Sequence, residues 1–326
     1  MTDLGLSPIL GFSLDAFTSL GFWAGVGVIA GIYTIFALGL QINVGFTGIF
    51  NFGQAGFMAV GAYSMAILIT DAGLSFWLAL PVSILITMLF GLLIALPAVR
   101  LRTDYLAIVT IAAAEAIRLT ALKAQFTGGA QGIYGFDETW DEISDTIEGW
   151  LEALGWSNLE TLAPLFLVVW ATAIALTFAL HFLQKTPWGR VLRAVREDED
   201  AARALGKNAF AYKLQSLVIA AALGAIAGMF LAINLRFVIP DEFLPIFTFL
   251  GYAVLVLGGL ANYFGVAIGA IIFWTILEGL RFIELPISEV KITALRFILV
   301  GLSLILLMAF RPQGMFGKRE EMVLGD

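Results

Sequence analysis

The sequence predicts an all-α fold, a polytopic membrane bundle of eight to ten transmembrane helices. Apolar residues make up 60% of its 326 residues and charged residues 13%, whereas soluble domains have roughly 45–50% and about 25%. The mean hydropathy is +0.94, and many apolar residues come in runs of about 20, the length with which a helix crosses ~30 Å of hydrocarbon. A water-soluble fold could not bury so many apolar side chains, since roughly a quarter of its unfolded surface stays exposed. The surplus therefore requires a bilayer.

Nine apolar runs are candidate spans. They lie at roughly residues 19–40, 55–70, 74–97, 104–122, 162–184, 214–235, 244–262, 264–282 and 294–310. The second run is short, and the glycine-rich stretch 45–56 before it can enter the membrane as a broken helix, so we expect eight to ten spans. We treat residues 1–326 as a single membrane-spanning domain, with helical spans in 19–122 and 162–310.

The distribution of Lys and Arg predicts the orientation. Twelve of the eighteen basic residues lie in three segments, 185–213, 100–102 and 311–319. The nine-span map puts all three on one side, which the positive-inside rule identifies as cytoplasmic. The segment 123–160 falls on the other side, with one basic and eight acidic residues. We therefore expect the inner membrane of a bacterium, with the N-terminus outside and the C-terminus in the cytoplasm.

The external loop 123–160 contains one predicted helix. Between 138 and 154 the apolar residues recur at helical spacing, with acidic residues on the opposite face. We expect an amphipathic helix that lies on the membrane interface, with its tryptophans at headgroup depth.

Most enzyme chemistry is excluded by the residues present. There is no cysteine and only one histidine, His181, so thiolate nucleophiles and the usual zinc ligand sets are absent. No phosphate-binding G-x-x-x-x-G-K-[ST] loop occurs, because Gly206 and Lys207 are followed by Asn208. We expect no enzyme and no cofactor in this chain. The net charge of −7 argues against a nucleic-acid partner.

The stretch between the first two spans is a candidate for part of a solute path. Residues 41–54 combine amides, glycines and aromatics without any charge. Irregular backbone at membrane depth persists only where protein buries it or where it lines a cavity, and broken helices often form transporter sites. The alternative is an ordinary inner loop. The candidate path residues are Gln41, Asn43, Asn51, Gln54 and Glu115.

Glu115 lies three residues before Arg118 on one helical face, near the predicted outer end of a span. The two residues either line the outer mouth of a solute path or form a pair that ties helix ends together.

The cytoplasmic loop 185–213 carries the strongest signal. Its sequence Asp200-Ala201-Ala202-x-x-x-Gly206 predicts a short helix that Gly206 ends as its C-terminal cap. Small residues on one face and charges on the other suit docking into a groove of a soluble partner. The alternative is a solvated positive loop. The residues expected to take part in docking are Asp200, Ala201, Ala202, Gly206, Arg193 and Arg196.

Five sequence blocks occur in an order that is typical of one transport family. They are N-F-G-Q-A-G-F-M-A-V-G-A-Y (51–63), V-R-L-R-T-D-Y-L-A-I-V-T (99–110), T-G-G-A-Q-G-I (127–133), R-A-V-R-E-D-E-D-A-A-R-A-L-G (193–206) and R-P-Q-G-M-F-G (311–317). The chain resembles the LivH/LivM permeases of branched-chain amino acid ABC importers, and the LivM type most closely. Asp200 stands where the E-A-A-x-x-x-G motif of these permeases usually has Glu.

The resemblance implies a permease that pairs with a LivH-like permease in the lipid membrane, above two cytoplasmic ATPases of the LivG/LivF kind. A periplasmic binding protein would deliver the solute, and ATP would bind to the partners. The motif from Asp200 to Gly206 would be the helix that couples to the ATPase. The substrates expected are branched-chain or other neutral amino acids. Urea or short amides are the alternative within transport, and an ion-driven carrier or an intramembrane enzyme is the alternative of another class.

Overall fold

The protein is described by a computed structural model that covers residues 19–101, 103–155 and 162–279, with isolated positions at 298, 301, 302, 305 and 315. The candidate span at 294–310 therefore lies outside the continuous described stretches.

The described chain is almost entirely helical. Its helices are α1 (Leu20–Leu40), α2 (Gln54–Thr70), α3 (Phe76–Ala98), α4 (Thr103–Lys123), α5 (Glu138–Ala153), α6 (Ala163–Lys185), α7 (Pro187–Glu197), α8 (Glu199–Ala204), α9 (Ala209–Leu235), α10 (Ile246–Gly258) and α11 (Tyr263–Gly279). A π-helical segment, Gln41–Thr47, continues α1, and single 3₁₀ turns lie at Gln125–Thr127 and Pro240–Phe243. Two short strands, β1 (Ile133–Tyr134) and β2 (Phe237–Val238), pair antiparallel.

The all-α polytopic bundle is confirmed, but the count of nine spans is not. Five described helices are long and apolar enough to cross a bilayer, and α10 with α11 makes a sixth if the bent pair is one span. This pair turns by 115° at a break where Gly259 and Ala261 have positive φ. The first of its helices has 13 residues, too few to cross ~30 Å alone at about 1.5 Å per residue. Sequence runs 244–262 and 264–282 thus correspond to one broken pair.

The bundle is built around α1, most of which is buried, and around the crossing of α2 with α9. At this crossing a Cβ on Gly228 would overlap the Met58 carbonyl oxygen, and one on Gly61 would overlap the Ala225 backbone. Small residues are needed here because lipid tails are as apolar as side chains, so helix association depends on close backbone packing.

The two ends of the bundle carry different connections. At one end the Arg100 guanidinium lies 5.7 Å from the Phe210 ring centroid, which brings the end of α3 next to the loop 185–213. At the other end β1 pairs with β2, and Arg236 forms ion pairs with Asp137 at 3.5 Å and Asp141 at 2.8 Å.

Helix α5, which belongs to the predicted external loop, lies against the protein itself. Trp140 and Leu151 are buried, and Trp140 shares an apolar cavity with residues of α3, α6 and α9. Trp150 is 68% exposed. Only Trp150 of the two tryptophans is therefore available to the headgroup region, because Trp140 packs into the bundle.

Candidate functional site

The connection between α1 and α2 is irregular and buried. The π-helical segment 41–47 ends at Gly48, whose φ of +70° lies in the left-handed region. Residues 48–53 have no regular structure, and α2 begins at Gln54. All four predicted amide residues have no exposed surface. The stretch 41–54 is thus part of the protein interior, and π-helical turns are frequent at functional sites.

The later two amides form a network that reaches α9. The Asn51 side-chain NH₂ donates to the Gln54 side-chain oxygen at 3.2 Å, and the Gln54 NH₂ donates to the Ala220 carbonyl at 2.9 Å. The Asn51 side-chain oxygen accepts from the Gly53 N–H at 2.9 Å. These bonds satisfy buried amides and fix the start of α2.

The earlier two amides reach two other elements. With its amide group oriented toward the donors, the Gln41 oxygen accepts from the backbone N–H groups of Ala261 and Asn262, each at 2.6 Å. The Asn43 side-chain oxygen accepts from the Ser216 hydroxyl at 2.8 Å. Segment 41–47 is therefore bonded to the break between α10 and α11 and to α9.

Tyr252 closes this site from α10. Its hydroxyl accepts from the Asn51 N–H at 3.0 Å and donates to the Asn51 carbonyl at 2.9 Å. The Phe52 N–H of the same stretch donates to the Thr110 hydroxyl, and the Ala55 N–H at the start of α2 donates to the Thr248 hydroxyl. These hydroxyl residues could not be predicted from the sequence, because a single polar residue in an apolar run carries no pattern.

We expect Tyr252→Phe to destabilise the protein by about 1–3 kcal/mol, because two buried backbone groups of Asn51 lose their shared partner. The measurement is the thermal unfolding temperature of the purified chain in detergent. The matched control is Tyr105→Phe, since Tyr105 is 60% exposed. Equal melting of both variants would show that the Tyr252 hydroxyl does not hold residue 51.

The loop 185–213, which we call the inner loop after its predicted side, contains two short helices, α7 and α8. The Asp198 carboxylate caps α8 by accepting from the Ala201 N–H at 2.9 Å. Gly206, with φ +76°, ends the helix as predicted, and the Lys207 N–H returns to the Ala202 carbonyl at 3.1 Å. The turn is therefore defined by hydrogen bonds within the loop.

The predicted docking residues divide into inward and outward groups. Ala202 is 3% exposed and packs with Val195 and Ala209. Asp200, Ala201 and Gly206 are exposed, and the neighbouring Leu205 is 80% exposed although it is apolar. A surface for a partner can thus use Ala201 and Leu205, whereas Ala202 supports the loop from within.

The two predicted arginines of the loop touch the π-helical segment. The Arg196 guanidinium donates to the Gly45 carbonyl at 2.5 Å. The Arg193 guanidinium lies 5.8 Å from the centroid of the Phe46 ring, within reach of a cation–π interaction. The structure thus joins two sets of residues that the sequence presented separately. We call this contact of Arg193 and Arg196 with residues 45–46 the loop junction.

Glu115 lies apart from the amides, at the end that carries β1 and β2. Its carboxylate forms two bonds with Arg118, at 2.6 and 2.9 Å, and Arg118 also pairs with Asp241 at 3.3 Å. Next to this pair, burial and the Asp241 carboxylate raise the pKa of Glu242 above its ordinary value. Glu115 is thus bound in an ion-pair cluster that connects α4 to the turn 240–243.

Among the described residues, no three His, Asp or Glu side chains lie close enough to hold a metal ion. The described part of the chain offers buried amides, a basic loop and membrane-crossing helices. These features define the class of protein, a polytopic α-helical transport permease.

The chain belongs to the family of permease components of branched-chain amino acid transport systems, whose model matches residues 23–308. It is 34% identical to the high-affinity branched-chain amino acid transport system permease protein LivM of Escherichia coli, over 87% of this chain and 67% of the relative. It is 25% identical to a probable LivM of Methanocaldococcus jannaschii, over 94% and 95%. A nucleoside ABC transporter permease, NupC of Lactococcus lactis, is 29% identical over 56% and 57%. No solved structure matches.

Proposed function

We propose that this chain is the LivM-type permease subunit of an ABC importer that moves branched-chain or other neutral amino acids. The observation that carries the proposal is the family match over residues 23–308, which spans both the buried amide site and the inner loop. The LivM relatives are named for branched-chain amino acid transport. The absence of ionic side chains from residues 41–54 favours a solute path for neutral rather than strongly charged molecules.

The complete importer combines this chain with a LivH-like permease, two LivG/LivF-like ATPases and a periplasmic binding protein. The exposed face formed by Asp200, Ala201, Leu205 and Gly206 docks into an ATPase groove. ATP binds to those partners, and this chain carries no cofactor. The binding protein approaches the opposite end, where α5 and the ion pairs of Arg236 lie.

Coupling runs through the loop junction. When the ATPases close, the inner loop moves, and Arg196 and Arg193 transmit the movement to residues 45–46. The amides of Asn51 and Gln54 follow because only a short irregular stretch separates them from that segment. Such a switch requires contacts that differ between the outward- and inward-facing states. A contact with the same free energy in both states cannot shift the equilibrium between them.

The orientation follows from charge. The basic loop 185–213 faces the cytoplasm of a bacterial cell, beneath the inner membrane. The N-terminus then lies outside, because five apolar runs of the nine-span map precede this loop, and the basic residues of 311–319 place the C-terminus inside.

Nucleosides are the second candidate substrate class, because one relative is named as a nucleoside permease.

Uptake of labelled leucine, uridine and urea should be compared in a strain that lacks its own importers and expresses the whole complex. We expect ATP-dependent leucine uptake that exceeds uridine and urea uptake at least tenfold. Preferential uridine or urea uptake would overturn the amino acid assignment. Uptake by this chain alone under an ion gradient would overturn the ABC mechanism.

A further inference from the structure

A polar pocket of about 290 Å³ lies where α6 ends and α11 begins. Its lining comes from the last turn of α6, from Arg193 of α7 and from the break between α10 and α11. The lining residues are His181, Gln184, Lys185, Arg193, Leu260, Ala261, Asn262, Tyr263 and Phe264. The pocket thus adjoins the loop junction and belongs to the same end of the bundle as the basic inner loop.

The lining is cationic. Lys185 and Arg193 contribute positive charges, whereas no Asp or Glu is among the lining residues of the described chain. The Arg193 Nε atom is buried and has no hydrogen-bond partner in the described structure. An N–H group in that position lacks the partner that buried donors normally have, and an anion in the pocket would supply one.

The helix ends at the pocket add little charge of their own, because side chains bond their free backbone groups. The last carbonyls of α6 would attract cations, but the Lys185 carbonyl accepts from Arg190 at 3.2 Å and the Gln184 carbonyl from Arg193 at 3.4 Å. At the other wall α11 begins at Tyr263, and there the Asn262 side-chain oxygen accepts from the Phe264 and Gly265 N–H groups at 3.1 and 3.2 Å. The positive charge of the pocket therefore comes from the Lys185 and Arg193 side chains.

The outer rim of the pocket is apolar and exposed. Phe178, Phe182 and Phe264 are 46%, 62% and 42% exposed, and the Lys185 ammonium lies 6.0 Å from the Phe182 ring centroid. Lys185 is the last residue of a 23-residue apolar helix, a length that brings it to the membrane surface. A cationic pocket at headgroup depth with aromatic rings beside it fits the phosphate of a lipid whose acyl chains run along the protein.

We propose that this pocket binds the phosphate of an anionic membrane lipid. Basic pockets between membrane helices at the cytoplasmic face are suited to such headgroups. The same arginine then contacts the lipid and the Phe46 ring, so that lipid occupancy fixes one half of the loop junction. This inference concerns the chain itself and holds whatever solute the importer carries.

Lipid binding is measured on the purified full chain by native mass spectrometry, with phosphatidylglycerol titrated against phosphatidylcholine. We expect the wild-type chain to retain phosphatidylglycerol in preference to phosphatidylcholine. Lys185→Gln should weaken that binding about fivefold, which is the effect on affinity expected from one basic charge near a lipid surface. Lys185→Arg should restore the binding. Lys207→Gln is the matched control, since it removes a charge from the same loop at an exposed position outside the pocket.

Two results would overturn the proposal. In the first, Lys185→Gln binds phosphatidylglycerol as wild type does. In the second, inorganic phosphate displaces the lipid at equal concentration, which identifies a free-anion site instead. Neither result depends on ATP, on the ATPases or on uptake, so failure here is distinct from failure of the proposed function.

Discussion

Replacing Arg196 with Gln is expected to uncouple ATP hydrolysis from solute uptake in the assembled importer. Arg196 is the residue of the inner loop that hydrogen-bonds the π-helical segment, through the Gly45 carbonyl. Hydrogen bonds to charged groups contribute about 1.5–3 kcal/mol, and coupling between sites is typically about 1–3 kcal/mol. We therefore expect solute moved per ATP hydrolysed to fall by about tenfold or more.

The measurement is uptake and ATP hydrolysis by the reconstituted complex in the same vesicles. Hydrolysis should continue, because the exposed docking face of α8 is unchanged. The matched control is Arg190→Gln, since Arg190 is an exposed arginine of the same helix that contacts only a neighbouring carbonyl among the bonds described. If Arg196→Gln and Arg190→Gln transport equally per ATP, movement does not pass through the loop junction.

Among the substitutions proposed for this protein, adding a single methyl group at Gly228 is expected to cause the largest loss of stability. A Cβ at this position would overlap the Met58 carbonyl oxygen and come within 2.8 Å of its carbon. Backbone atoms cannot rotate away as a side chain does, so α2 and α9 would have to separate. Overpacking of this kind typically costs about 1–3 kcal/mol and occasionally more. Gly228→Ala should therefore lower the unfolding temperature in detergent and reduce the yield of inserted protein.

Gly25→Ala provides the control for Gly228→Ala. Gly25 also lies within a membrane helix, but its added Cβ would meet no atom within 4 Å. Alanine is about 1 kcal/mol more favourable than glycine in a helix interior, so this variant should melt at or above the wild-type temperature. Unfolding of Gly228→Ala at the wild-type temperature would contradict the close packing of α2 and α9.

Residues 41–54 illustrate how far sequence reasoning reaches. Their glycines and amides indicated a broken, buried stretch, because side-chain chemistry and conformational freedom are local properties. The partners of those amides were not predictable. Arg196 and Gly45 are 151 positions apart, and no periodicity relates residues at that separation.

The number of membrane spans could not be predicted from hydropathy alone. Hydropathy treats each apolar run as a straight helix, so it counted 244–262 and 264–282 as two spans. The 115° turn between α10 and α11 depends on the positive φ of Gly259 and Ala261 and on the Gln41 amide that accepts from the backbone at the break. Glu115 is similar, since its pair with Arg118 was visible in the sequence but the ion pair of Arg118 with Asp241 was not.

The sequence by itself determined that this protein lies in a membrane, and it determined the charge asymmetry of its loops. It also determined the helix that ends at Gly206 and the family to which the chain belongs. Composition, hydrophobic runs and short motifs carry these properties, and each is read over a few neighbouring residues. Only the tertiary structure decided that the inner loop holds the π-helical segment through Arg196, and that Ala202 faces inward. These contacts depend on packing between elements distant in the chain, which is a property of the assembled bundle.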